Sequence, residues 1–448
     1  MARTRVLVVS SEPVGEAMAG PAIRALELAR ALAAECEVTL AAPAPSTVAD
    51  GRIRLLEAGF VDYDALRAAA RDHDVLVAQL LPPRLLARLA REPVRIVADL
   101  YDPTPVEVLE LVRDLPLARA RLLQRIVARS ALAHLAAADL VLCASEPQRD
   151  LWLGALATLG LLDLEEYRAD PTARSRVAVV PFGLPVDPPE PGPAIKGVWP
   201  GIGTDDRVIL WNGGVWNWLD AETPIRAAAT LPDGVHLCFL GLGRPAMDVQ
   251  DRHGAAERAV ALASQLGLEG VKVHFNPGWV PYAERGRYLL DADLAVTAHL
   301  EHLEARFAFR TRLLDCLWAG LPVVATRGDV LAERVAAAGA GTTVPPASPD
   351  ALARAWAHLL GDGERRLEAS RAARALAPAF TWERVAAPLV EWCATVSERP
   401  RRRRPRGVLR AATLAQYPLL ARQTAGRDGL AAAAGRVARN AGRAVRRR

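Results

Sequence analysis

Short apolar runs of four to six residues alternate with longer amphipathic stretches along nearly the whole chain, and the alternation occurs in two series. Arg5–Ser10, Glu37–Ala42, Asp74–Ala78, Val94–Ala98, Leu140–Ala144 and Val177–Val180 form the first series. Arg207–Trp211, Val235–Leu240, Val271–Phe275, Leu294–Thr297 and Val323–Thr326 form the second. Runs that are apolar on both faces suit strands of a parallel sheet covered by helices on each side. Between the series lies LPVDPPEPGPAIKGVWPGIGTDD, residues 184–206, where proline and glycine leave no period. The pattern predicts an α/β chain of two doubly wound, Rossmann-like domains facing a central cleft. Their bounds are 1–183 and 207–380, with a linker at 184–206. A closing helix follows at 381–398, then a basic tail at 399–448. A chain of 448 residues is also longer than one core ordinarily serves. In open sheets of this kind ligands bind beyond the carboxyl ends of the strands, so that is where chemistry is sought.

Charge is divided unevenly. Residues 399–448 hold fifteen Arg and one Asp, so this tail carries +14 of a net +5 and the other 398 residues carry −9. Arg436, Arg439, Arg443 and Arg446 recur at helical spacing within it. Two readings stay open for the tail: a disordered, solvated segment, or attachment to an anionic membrane surface. The acidic body and the single aromatic residue of the tail, Tyr417, argue against nucleic acid. The longest apolar run, near Leu151–Leu162, is too short to cross a bilayer. MARTRVLVVSSEP reads as a first strand rather than a leader. Five cysteines without a CxxC pair fit free thiols in a reducing compartment, hence a cytoplasmic protein, peripheral at the inner face of the plasma membrane if the tail attaches there.

Three segments after predicted strands carry candidate residues. SSEPVGEAMAGPAIR brings Gly20 to a helix start, where free amides point outward. NGGVWNWLD offers Gly213 and Gly214 for close backbone approach, and places Trp216 and Trp218 in a loop that would line the cleft. FRTRLLDCLWAGLPVVAT predicts a helix beginning near Phe309. The amides near Thr311, with Arg310 and Arg312, suit a pyrophosphate, and Asp315, one turn further in, suits the two hydroxyls of a ribose. Asp99 and Asp102, in VADLYDP, stand at a strand end where either would touch an acceptor hydroxyl or cap the strand. DAD at Asp291–Asp293 and HLEHLE at His299–Glu304 are expected to be structural, so no metal site is expected.

Together these residues resemble a retaining nucleotide-sugar glycosyltransferase of the GT-B fold, in the large family numbered four, over about residues 3–397. That family has two acids with seven residues between them before an Ala-x-Ala-x-Gly-x-Pro turn. Asp315 falls on the second, usually Glu and a ribose ligand. The first falls on Phe307, so Glu304 or Glu301 would stand in. The resemblance implies transfer of a sugar from a nucleoside-diphosphate sugar to a glycan or lipid-linked acceptor, without metal or cofactor. Glu304 and Asp102 are the catalytic candidates. Gly213, Gly214, Trp279, Phe309, Arg310, Thr311, Arg312 and Asp315 would bind the donor. Gly20, Asp99, Trp216 and Trp218 would lie on the acceptor side. The family's basic pair includes a lysine that NGGVWNWLD lacks, so Arg310 and Arg312 would replace it, or Arg244. NPGWVPYAER falls where the nucleobase binds. A GT-B epimerase or phosphorylase, or a catalytically inactive sugar-nucleotide-binding or scaffold protein, are the alternatives.

Overall fold

The computed structural model describes residues 3–242 except Ala17, 254–399 except Trp279, and positions 401, 402, 404, 407, 409, 411, 414, 419 and 422. The expectations for Trp279, Arg244 and most of the tail lie outside these residues.

The first sheet has seven parallel strands: β1 Arg5–Val9, β2 Glu37–Ala42, β3 Ile53–Glu57, β4 Val75–Ala78, β5 Arg95–Asp99, β6 Leu140–Cys143 and β7 Val177–Val179. Their order is β3-β2-β1-β4-β5-β6-β7. The second has six: β8 Arg207–Trp211, β9 Val235–Phe239, β10 Val273–Phe275, β11 Leu294–Thr297, β12 Val323–Thr326 and β13 Gly341–Val344, in the order β10-β9-β8-β11-β12-β13. Both reverse beside their first strand, and each reversal opens a crevice at the strands' carboxyl ends. Two strands escape the sequence pattern, IRLLE of β3 and GTTV of β13. Each is a sheet edge and half exposed, so neither needs apolar residues on both faces.

The segment expected to be a linker is fastened to the second domain. The amides of Ile195 and Lys196 donate to Asp291 Oδ2, and Lys196 Nζ lies 2.7 Å from Asp293 Oδ2. The acids of DAD are thus committed to structure. Leu184 makes a parallel bridge with Thr381 just before the closing helix Trp382–Ala394. That helix packs on Gly20–Leu32 of the first domain. Gly183 makes the approach possible, since a Cβ there would stand 2.6 Å from the Trp382 ring. One buried cluster consequently runs through both domains, from Leu26 and Leu28 to Leu313, Leu317 and Leu389.

Two arginines at the start of the basic tail, Arg402 and Arg404, are tied to the first domain. Arg402 Nη1 donates to the carbonyl of Ala138, at the end of helix Leu117–Ala137. Arg404 donates to Ala90, at the end of helix Pro83–Leu89, to Val94, and to Asp139 at 2.8 Å. Carbonyls at helix ends lack intrahelical partners and sit at the negative end of the dipole, so arginine suits them. Leu409 is buried in the first domain's core.

Candidate active site

A cavity of about 280 Å³ separates the domains. Met18, Ala19, Gly20 and Ile23 line it from the first domain, at the start of helix Gly20–Leu32. From the second come the loop after β8 (Asn212, Gly213, Gly214, Trp216) and the end of β9 (Leu240, Gly241). Tyr282 and Arg285 follow, and then the helix Thr311–Ala319 supplies Thr311, Arg312 and Asp315. Gly213 has φ 125°, a region that favours glycine. Asn212 Nδ2 donates to the Arg312 carbonyl at 2.8 Å, tying this loop to the helix start.

Arg312 is the cation of this wall. Its Nη2 donates to the Gly214 carbonyl at 3.0 Å, and its guanidinium lies 5.0 Å over the Trp211 ring. Nη1 is buried with no hydrogen-bond partner among the described residues. Burial, then the nearby charge of Arg310, pulls its pKa down to about 9. A half-buried cation with a buried, unfilled donor beside a helix N-terminus is complementary to an anion.

Arg310 does not join it. Its guanidinium is buried in a two-point pair with Glu304, Nη1 to Oε1 at 3.0 Å and Nη2 to Oε2 at 2.6 Å. The short helix Leu303–Phe307 brings that carboxylate under the start of the next helix. Both carboxylate oxygens are taken up in this pair; Arg310 Nε, like Arg312 Nη1, is buried with no hydrogen-bond partner among the described residues, but Arg310 does not line the cavity. The expectation of paired arginines on a diphosphate is thereby reduced to Arg312. Glu304 is likewise occupied and does not line the cavity. Phe309 packs against Phe380, with ring centroids 6.4 Å apart, outside the cavity lining. Trp218 stacks behind Trp216 at 5.6 Å, against the second domain's core, so only Trp216 reaches the cavity. His302 caps helix Leu303–Phe307 through its ring, which accounts for HLEHLE structurally. Among the described residues no group of three His, Cys, Asp or Glu is placed to hold a metal ion.

On the first domain, Asp99 is withdrawn from the acceptor side. It forms two bonds of 2.7 Å with Arg24, and both side chains are buried. Arg24 also donates to the carbonyls of Val180 and Pro181, bracing β5 against the end of β7. Asp102 is not held by Arg24 in this way, though it does not line the cavity either. It accepts from the Tyr101 hydroxyl, and burial, opposed by that bond and by Arg24, raises its pKa to about 6. Glu107, on helix Thr104–Leu111, is pushed up to about 8 by burial and then by the charges of Asp102 and Glu304. This helix packs on Leu303–Phe307, so the acids face Glu304 and Arg310 across the domain boundary. The Tyr101 hydroxyl lies 3.8 Å from the position of a Cβ on Gly20, next to the cavity.

Arg285, Tyr282 and Glu107 were not singled out by sequence. Arg285 ends the segment NPGWVPYAER, and its Nε donates to Asp315 Oδ1 at 3.0 Å. A second, wider groove of about 1490 Å³ adjoins the cavity, and Met18, Tyr282 and Arg285 line both.

Residues 206–362 match the family model described as glycosyl transferases group 1. The matched residues begin just before β8 and run to the end of helix Pro349–Leu360, so the likeness falls on the second domain. A D-inositol 3-phosphate glycosyltransferase of Xylanimonas cellulosilytica is 30% identical over 238 residues, 50% of this chain and 52% of the relative. The chain thus matches about half the length of that relative. Sucrose-phosphate synthase from Thermosynechococcus elongatus superposes with a TM-score of 0.63 at 17% identity, over 88% of this chain and 100% of that one. Anabaena HepE in complex with UDP-glucose gives 0.60 at 16%, over 88% and 100%. The two-domain arrangement is the GT-B fold.

Proposed function

We propose that the chain transfers a sugar from a nucleoside-diphosphate sugar to a hydroxyl of a glycan or lipid-linked acceptor, with retention and without a metal. The observation that carries this is the convergence, in one interdomain cavity, of the start of helix Thr311–Ala319, the unfilled Nη1 of Arg312, and Asp315. Charge building on the departing diphosphate meets the helix amides and Arg312, groups preorganised before the bond breaks. Asp315 receives the ribose hydroxyls. Gly213 and Gly214 let the donor approach the backbone. Gly20 and Trp216 border the acceptor. Asp102, hydrogen-bonded to Tyr101 and held near pH 6, is suited to take up the acceptor's proton. Two structural neighbours bear on the donor: Anabaena HepE is known in complex with UDP-glucose, and an E. coli trehalose-6-phosphate protein bound with UDP-2-fluoro glucose. D-inositol 3-phosphate, from the name of the curated relative, is an acceptor to test.

The reading includes an anionic membrane surface in the cytoplasm. Between Leu115 and Ala138 there is no acidic residue, while Arg119, Arg121 and Arg125 are exposed and Leu117 is 63% exposed. These residues on helix Leu117–Ala137 support such a contact. The test is turnover with a panel of UDP-, GDP- and ADP-sugars and sugar or inositol acceptors, in the presence of EDTA. Product in EDTA supports the proposal. Donor binding without turnover for any acceptor supports the inactive binding-protein reading instead, which the engagement of Glu304 by Arg310 favours.

A further inference from the structure

Arg285 stands in the wall between the 280 Å³ cavity and the larger groove, and it is held on four sides. Its Nε donates to Asp315 Oδ1 at 3.0 Å and its Nη1 to the Tyr282 carbonyl at 2.7 Å. Its guanidinium carbon lies 3.6 Å from the Tyr282 ring centroid and 4.5 Å from that of Trp318. Trp318 is itself anchored, its indole N–H donating to the Asp187 carbonyl in the linker at 2.7 Å. Arginine between two aromatic faces keeps its fork in one plane, which lysine cannot do.

This arrangement has two effects on Asp315. It commits Oδ1 to the guanidinium, so the orientation of the carboxylate is set and Oδ2 remains for a ligand. It also balances a negative charge that would otherwise repel a diphosphate at the same helix start. We propose that Arg285 is a positioning residue for nucleotide recognition. Without touching the nucleotide, it holds Asp315 so that Oδ2 meets the vicinal hydroxyls of the ribose. This inference rests on the donor reading given above.

The test uses the full chain, isothermal titration with UDP and GDP, and the 2′,3′-dideoxy analogue of whichever binds more tightly. Arg285→Ala is expected to weaken the nucleotide roughly tenfold, the scale of one charged hydrogen bond, and the dideoxy analogue by less than about twofold. Asp315→Ala and the double variant are expected to bind alike, since removing Arg285 has no route to the ligand once Asp315 is gone. Arg285→Met, which keeps apolar bulk between Tyr282 and Trp318, separates a loss of packing from a loss of charge and should bind as Arg285→Ala does. Unchanged nucleotide affinity in both single Arg285 variants overturns the inference. So does an equal loss for the dideoxy analogue, or a double variant weaker than Asp315→Ala, because Arg285 would then act on base or phosphate directly. A parent chain that binds neither UDP nor GDP overturns the donor reading itself.

Discussion

Arg310 and Arg312 are two residues apart and indistinguishable by residue type, yet the fold gives them different work. Glu304 lies six residues before Arg310 and is folded back under it, a proximity that depends on the short helix Leu303–Phe307 and leaves no trace in spacing. Arg310→Ala leaves a buried carboxylate without its cation and should cost about 3–5 kcal/mol in chemical denaturation. Arg312→Ala removes a cation that already lacks one partner, so stability should change little while donor affinity falls roughly tenfold. Equal nucleotide loss in the two variants, with equal stability, would put Arg310 back on the donor. Asp102 and Glu107 add a pH dependence. Both carboxyls hold protons more tightly folded, near pH 6 and 8, than the unfolded values of about 4. The folded state binds more protons in that window, so their contribution to stability falls as pH rises from about 4 to about 8. Glu107→Gln should therefore raise Tm at pH 8 and do so much less at pH 5, measured by calorimetry in matched buffers. A variant no more stable than the parent at pH 8 would show that Glu107 is not strained by its neighbours.

At the level of elements, eleven expected strands are present, most within a residue or two of their predicted ends, because parallel strands buried on both faces must be apolar throughout. β3 and β13 were illegible for the converse reason: edge strands are exempt from that demand. The helix Thr311–Ala319 was legible in its apolar face and its end, where Gly320 takes φ 67°. Its start was expected near Phe309, before the chain turned at Arg310. The closing helix was legible as an element, but its docking was not, since nothing in FTWERV announces that Trp382 must lie against a residue without a side chain. Gly183→Ala should push the Trp382 ring away and cost about 1–3 kcal/mol, the scale of overpacking a filled core. The check is denaturation together with Trp fluorescence; an unshifted Tm would mean that the closing helix yields at no cost.

For the whole molecule, two domains and a cleft between them were readable from a repeated alternation, while the way Arg402 and Arg404 are tied down was not. A run such as RPRRRRPR reads as solvated because its charge is uniform, while the partners of Arg402 and Arg404 are largely carbonyls, which belong to every residue and mark none, beside the carboxylates of Glu166 and Asp139. Arg402 and Arg404 find those carbonyls at helix ends, and Arg95 donates to the Arg399 carbonyl at 2.6 Å. The basic tail thus has one part that belongs to the first domain, beneath the strand starts and away from the cleft. A chain ending at Ser397 is accordingly expected to lose stability, by about 1.5–3 kcal/mol for each hydrogen-bonded cation removed. A chain ending at Leu409 drops the buried Leu419 and should fall only slightly below the full-length Tm. Donor affinity should be equal in both at a temperature where both are folded, since Arg312 and Asp315 lie in the other domain. Liposome sedimentation then separates the strap from membrane attraction. If helix Leu117–Ala137 supplies the contact, the chain ending at Leu409 still sediments with anionic vesicles at low salt, and Arg119→Glu with Arg121→Glu and Arg125→Glu releases it. If that shortened chain stays in the supernatant while the full chain sediments, the attraction resides beyond Leu409 and the helix is not the contact.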